Sequence, residues 1–179
     1  MFSFHPTPLD NAALIELPRF EDERGIFIKT FQNSLFLKKH LNFELQESYY
    51  SFSKKNVIRG MHFQLPPYQH AKIVFCPQGR IMDVLLDLRK ESKTYKQFFA
   101  TELSAENHKA LFIPEGFAHG FMALADHSMT YYLLSSEYHK ENDTGIKWDS
   151  FKMDWAIPNP IISERDRSFP ELKDFDSPF

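Results

Sequence analysis

Apolar and polar positions alternate in short runs along most of this chain, and turn residues separate the runs. Strand-like runs cover 25–31, 71–76, 80–88, 97–103, 109–113, 120–124 and 129–134. In the third run, Met82, Val84, Leu86 and Leu88 fall on one face and Asp83, Leu85 and Asp87 on the other, the period of two expected of a strand. Pro77-Gln78-Gly79 and Pro114-Glu115-Gly116 break the pattern with turn chemistry. Closely spaced short strands with turns predict an all-β sandwich or barrel. A jelly roll of two packed antiparallel sheets fits this density, and such a fold can enclose a ligand pocket. Helical pattern is confined mainly to 33–41, with Ser34 as a candidate cap, and to a single turn at 104–107. The tail from Asp154 onward predicts extended chain and one small helix packed on the barrel. With no repeat, linker or low-complexity tract, residues 1–179 are expected to form one domain.

The chain has 179 residues, enough to bury a substantial core, with 42% hydrophobic and 25% charged positions. A net charge of −3 speaks against a nucleic-acid-binding protein, which usually carries a basic surplus. No apolar stretch approaches the length of a membrane span, and the N-terminus lacks the pattern of a signal peptide. The protein is therefore expected to be soluble and cytoplasmic. Its one cysteine, Cys76, reads as a small buried hydrophobe rather than a reactive thiol. The 19 phenylalanines favour sheet and can supply stacking surfaces.

Candidate chemistry gathers around Arg59-Gly60-Met61-His62-Phe63-Gln64. In a strand, Met61 and Phe63 face one way and His62 and Gln64 the other, so the polar pair lines a cavity or faces solvent. A histidine can accept a proton near neutral pH. Lys72, flanked by apolar residues, either snorkels to the surface or points into a polar pocket. Taken singly, Tyr132 is an ordinary strand aromatic and Asp166 a carboxylate at a helix start or turn. Together they supply a base, a cation, a proton donor and a carboxylate that orients the base. That set suits inversion of a carbon next to a ketone.

The chain also resembles the dTDP-4-dehydrorhamnose 3,5-epimerase family of sugar-nucleotide enzymes. The resemblance is carried by Asp22-Glu23-Arg24-Gly25, by Lys54 through Gln64, and by Asp87-Leu88-Arg89-Lys90-Glu91-Ser92. It continues in Leu103-Ser104-Ala105-Glu106-Asn107, in Ile113 through Gly120, and in Ile162-Ser163-Glu164-Arg165-Asp166. It implies a cupin-like jelly roll, a homodimer, no metal or other cofactor, and a nucleotide-linked 4-keto-6-deoxy sugar as substrate. It implies His62 as catalytic base with Asp166 as its carboxylate partner, and Tyr132 as proton donor. Lys72 and Arg59 would sit at the ketone oxygen, and a cation near Tyr132 would lower the phenol's pKa. Arg24, His119, Asp143 and Arg165 match substrate-contacting positions, the last two as changed residue types, and Tyr138 matches the aromatic that stacks on the base. Gln64 is expected beside His62 in the same cavity.

Departures from the family pattern bear on specificity. Lys29 stands in place of Glu, and Glu47 and Tyr49 in place of Gln and Asn, at positions that touch the nucleotide-sugar. Phe75 replaces an Arg, Leu133 replaces a Lys, and Tyr68-Gln69-His70 is atypical. A keto-sugar isomerase using the same base is the nearest alternative. A metal-dependent cupin using His62, His70 and His119 is a more distant one, because Gln64 breaks the usual His-x-His pair.

Overall fold

The computed structural model describes residues 1–41 and 43–179. Six strands form one sheet: β1 (Ser3–Pro6), β2 (Ala13–Glu16), β5 (Glu47–Ser53), β7 (Lys72–Gln78), β10 (Lys109–Ile113) and β12 (Ser128–Leu134). Their spatial order is β1-β2-β10-β7-β12-β5. Five strands form the second sheet: β6 (Ile58–Gln64), β8 (Arg80–Asp87), β9 (Phe98–Ser104), β11 (Phe117–Ala123) and β13 (Asp143–Gly145), in the order β13-β6-β11-β8-β9. All pairings within the sheets are antiparallel. A separate hairpin pairs β3 (Arg19–Asp22) with β4 (Gly25–Ile28). The architecture is a cupin-like jelly roll, as the strand density predicts.

Alternation along the strands builds three apolar layers. Val74, Cys76, Ile81, Leu85, Phe121 and Tyr132 pack between the sheets. On the outer face of the six-stranded sheet, Ile73, Phe75 and Leu133 are covered by Phe36 of α1 (Asn33–Lys38) and by Phe2 and Phe43. On the outer face of the five-stranded sheet, Met61, Phe63, Val84, Leu86 and Leu88 are covered by Ile146, Trp155 and Leu172. Both faces of β8 are thus buried, and the polar face read from its alternation lies in the interior: Asp83 and Asp87 are both inaccessible. Asp87 is satisfied there by Arg89, Ser92 and Thr94. Cys76 is buried and free, and burial pushes its thiol up to about 12.

Several local expectations need correction. The residue at the N-cap of α1 is Gln32, two residues before the expected Ser34, and no side chain caps the helix. Residues 104–107 form a turn closed by reciprocal Ser104 and Asn107 hydrogen bonds, which takes the place of a helical turn. The tail contains two helical pieces where one was expected, α2 (Glu164–Arg167) and a 3-10 turn (Leu172–Asp174). The run 25–31 ends as a strand at Ile28. Strands β1, β2, β3, β5 and β13 escape the sequence pattern, being short or too polar for a period-two signal.

Candidate active site

One end of the space between the sheets is polar. A cavity of about 270 Å³ opens there, lined from both sheets. The six-stranded sheet contributes Glu47 and Tyr49 from β5, Lys72 from β7 and Tyr132 from β12, while the other sheet contributes Arg59, His62 and Gln64 from β6, His119 from β11 and Asp143 from β13. Ladder register explains the grouping. His62 lies opposite His119, Gln64 opposite Asp143, and Tyr132 opposite Tyr49. Alternation in β6 puts the two pairs on opposite faces, as the sequence predicts, and the fold sends Met61 and Phe63 outward into the apolar layer and His62 and Gln64 inward to the cavity.

His62 Nε2 lies 2.9 Å from Asp166 Oδ1, although 104 positions separate the two residues. The tail makes this meeting possible. Ile161 exchanges backbone hydrogen bonds with the strand start at Asn56 and Ile58, which anchors the chain just before α2. Ser163 then caps α2 by accepting the Asp166 amide at 3.1 Å, which leaves the Asp166 carboxylate in the first helical turn facing β6. Its second oxygen accepts the Gly60 amide at 3.0 Å. Gly60 has φ +136, and a Cβ there would drive into the backbone of Gly120, so this approach of β6 to β11 requires glycine. Burial raises the Asp166 pKa, but the His62 hydrogen bond and charge, the Gly60 amide and the Ser163 hydroxyl outweigh it and hold the carboxyl below its ordinary value. An ionised Asp166 accepts Nε2–H, so the network assigns Nδ1 of His62 as the free lone pair. The pair can therefore accept a proton on one side and stabilise the resulting imidazolium on the other.

Lys72 is only 5% exposed, and its ammonium donates to the His62 carbonyl at 3.2 Å. Burial depresses its pKa to about 8, with Asp143 and Asp83 opposing the shift. Tyr132 is buried with its ring against Tyr49 (4.8 Å) and edge-on to His119 (5.8 Å). Its phenol is raised well above the usual value, chiefly by burial and then by Tyr49 and Asp83, with Arg59 opposing. The expected downward shift by a nearby cation is therefore overturned, because desolvation outweighs it. The phenol is held in its protonated form.

His119 forms a second buried pair, its Nε2 lying 2.8 Å from Asp83 Oδ1. Burial is the largest influence on its pKa and the net shift is downward, keeping the ring neutral despite Asp83. Asp83 escaped sequence reasoning as a site residue. The available signal was a carboxylate inside an otherwise apolar strand. At the mouth, Glu47 accepts the Tyr138 amide at 2.6 Å and so fixes the loop that holds the exposed Tyr138 ring. Asp143 pairs with Arg165 at 2.6 Å. Arg59 donates to Ser53 Oγ at 3.1 Å.

Two sequence-predicted site residues lie elsewhere. Arg24 sits exposed at the tip of the β3–β4 hairpin, paired to Asp22, and Lys29 follows β4 outside the cavity. The hairpin does not fold back over its own jelly roll, and this keeps both cations away. His62, His70 and His119 each have a different partner (Asp166, Gln64 and Asp83), and among the described residues no three His, Cys, Asp or Glu side chains converge as a metal-binding set.

Residues 6–174 match the dTDP-4-dehydrorhamnose 3,5-epimerase family. The chain belongs to that family. A protein of Methanothermobacter thermautotrophicus described as dTDP-4-dehydrorhamnose 3,5-epimerase is 42% identical, with 97% of this chain and 96% of that one covered. The family member from Bacillus anthracis, solved with TDP and PPi bound, superposes with a TM-score of 0.93 at 34% identity, covering 96% of this chain and 100% of that one. The enzyme from Legionella pneumophila, solved in complex with dTDP-4-keto-L-rhamnose, superposes with a TM-score of 0.92 at 30% identity, covering 98% and 95% of the two chains. Among the described residues, no helix of this family member is long and apolar enough to cross a membrane.

Proposed function

We propose that this family member inverts C3 and C5 of a dTDP-linked 4-keto-6-deoxy sugar, with His62 as the base and Tyr132 as the donor that returns a proton from the opposite face. The observation that carries this reading is the His62–Asp166 pair at 2.9 Å, opening into one cavity with Lys72 and Tyr132. A C–H beside a ketone is acidic only where the developing enolate oxygen is stabilised. Lys72 and Arg59 supply cations for that oxygen. His62 Nδ1 removes the proton, Asp166 steadies the imidazolium, and the protonated Tyr132 delivers a proton across the ring. His119 binds a sugar oxygen from the five-stranded sheet, and Gln64 braces the cavity wall through its bonds to Tyr68, Glu137 and His139, while Arg165, Asp143 and the exposed Tyr138 serve the nucleotide at the mouth. Glu47 and Tyr49 shape the same end of the cavity. No metal and no organic cofactor takes part.

The working form is a homodimer. Its support is the exposed edge strand β5, which carries Tyr50 and Phe52, and the outlying hairpin, which carries exposed Phe20, Ile26 and Phe27 beside Arg24. In a dimer, Arg24 and Lys29 reach the neighbouring copy's cavity. Mixing inactive Arg24→Ala and His62→Ala proteins then regenerates intact sites, with roughly a quarter of wild-type activity at equilibrium exchange. No recovery on mixing would place Arg24 outside the partner's site.

The test of the activity is proton NMR with dTDP-4-keto-6-deoxyglucose in deuterated water. Deuterium is expected at both C3 and C5 and is lost in His62→Ala. Exchange at C3 alone would reduce the assignment to a 3-epimerase, and migration of the carbonyl would make the protein an isomerase. Exchange undiminished in His62→Ala would remove His62 as the base.

A further inference from the structure

A phenol that delivers a proton across a sugar ring must keep its hydroxyl free for the substrate, so Tyr132 is held through its ring. From the facing sheet, the edge of His119 meets that ring, with centroids 5.8 Å apart and planes at 73°. His119 is buried and pinned to Asp83 at 2.8 Å, so this wall is fixed. Within the six-stranded sheet, Tyr132 lies directly opposite Val74 of β7 on one side and Tyr49 of β5 on the other. Residues opposite one another in a ladder point to the same face, so all three side chains stand in one row. Val74 is inaccessible and packed in the core. Tyr49 lies against the Tyr132 ring with centroids 4.8 Å apart and planes at 34°, within the range where offset aromatic pairs attract. It differs from the other two neighbours in its surroundings. β5 is the edge of the sheet, and Tyr49 is 43% exposed where Tyr132 is 7% exposed. The solvent side of the donor ring is therefore closed by Tyr49.

The enolate has two fates. His62 can return a proton to the face it came from, which restores the starting configuration, or Tyr132 can deliver one to the opposite face, which inverts the centre. The outcome depends on how well the phenol is placed, because transfer needs its O–H aligned with one carbon. We infer that Tyr49 is a positioning residue for this reaction: its ring, seated beside Tyr132 on the edge strand, holds the donor phenol in one orientation and so biases the enolate toward inversion. This inference rests on the epimerase reading above. The ring is what matters, since a flat face is what Tyr132 packs against. Without it, the phenol can swing into the vacated space at the sheet edge. His62 and Asp166 come from β6 and α2, so losing the Tyr49 ring acts on the proton delivered and not on the proton removed.

The test uses dTDP-4-keto-6-deoxyglucose in deuterated water and compares deuterium taken up without inversion against inverted product. Reactions are stopped early with borohydride, which reduces the ketone and fixes the configuration at its neighbours, and thermal melts verify folding. Tyr49→Ala is expected to raise the ratio of uptake to inversion about tenfold. Tyr49→Phe keeps the ring and is expected to restore a ratio close to that of wild type. A residue that only supported the fold would lower uptake and inversion together and leave their ratio unchanged. A wild-type ratio in Tyr49→Ala, or a ratio in Tyr49→Phe as high as in Tyr49→Ala, overturns the inference. Should Tyr49→Ala fail to fold, Tyr49→Leu, which fills the edge position without a flat ring, is read in the same way. Those outcomes leave wild-type inversion intact. A wild-type protein that neither exchanges nor inverts overturns the epimerase reading, and this inference with it.

Discussion

Lys72→Met should make the protein inactive and more stable at neutral pH. The lysine is 5% exposed and its pKa is pushed down from 10.5 to about 8, so charging it costs more in the folded than in the unfolded chain. At pH 7 both states carry the proton and nearly the full penalty applies, about 3 kcal/mol from the shift of pKa. Between pH 8 and 10.5 the folded protein releases the proton while the unfolded chain keeps it, so the penalty shrinks as pH rises. At pH 9.5 it has fallen to about 1.4 kcal/mol. Methionine has a similar length and no charge, and removing the ammonium leaves only the His62 carbonyl without its donor. Urea denaturation of both proteins at pH 7 and pH 9.5 measures the difference directly. Expected is a gain of about 2–3 kcal/mol for the variant at pH 7, roughly halved at pH 9.5. A variant no more stable than wild type at pH 7, or a gain that fails to narrow in alkali, would refute the claim that Lys72 is held charged in the cavity at a cost to the fold.

Asp166→Asn keeps the shape of the pair and removes the charge that fixes the His62 tautomer, so exchange at the sugar carbons should fall by about 10²–10⁴-fold. Because the Asp166 pKa is depressed on folding, its stabilising contribution is present above the ordinary carboxylate range and is lost as pH falls through the folded value. The stability gap between wild type and Asp166→Asn should therefore close in acid, read by denaturation at pH 7 and pH 3. In Tyr132→Phe, His62 can still remove and return a proton on its own face. NMR in deuterated water should thus detect deuterium uptake without inverted product, and normal inversion would remove Tyr132 as the donor. Gly60→Ala forces a Cβ into the Gly120 backbone at a positive φ and should cost roughly 2–4 kcal/mol. Gly25→Ala, also at positive φ but with open space around it, should cost about 1 kcal/mol. Equal melting temperatures for the two variants would contradict the close approach of β6 and β11.

The sequence by itself determined the class of fold and which residues of the key strand share a face. Alternation places Met61 and Phe63 on one side and His62 and Gln64 on the other, and any strand pairing preserves that, because the period of two is a local property of the backbone. It left β1, β2, β3, β5 and β13 unseen, since three- and four-residue strands and a strand as polar as β5 gain their identity from the neighbour they pair with. The residue types of the site were also legible, with the family resemblance supplying the roles that single residues do not announce. Tertiary structure alone decided how these residues meet. Asp83 and Asp87 are alike in sequence pattern, yet one faces His119 in the cavity and the other closes a loop network with Arg89, Ser92 and Thr94. Lys72 reads as a surface lysine until the second sheet covers it, and that desolvation is what moves its pKa. Arg24 and Lys29 share the motif-level signal of the other site residues but stand outside their own cavity, because the path of a hairpin depends on what it packs against.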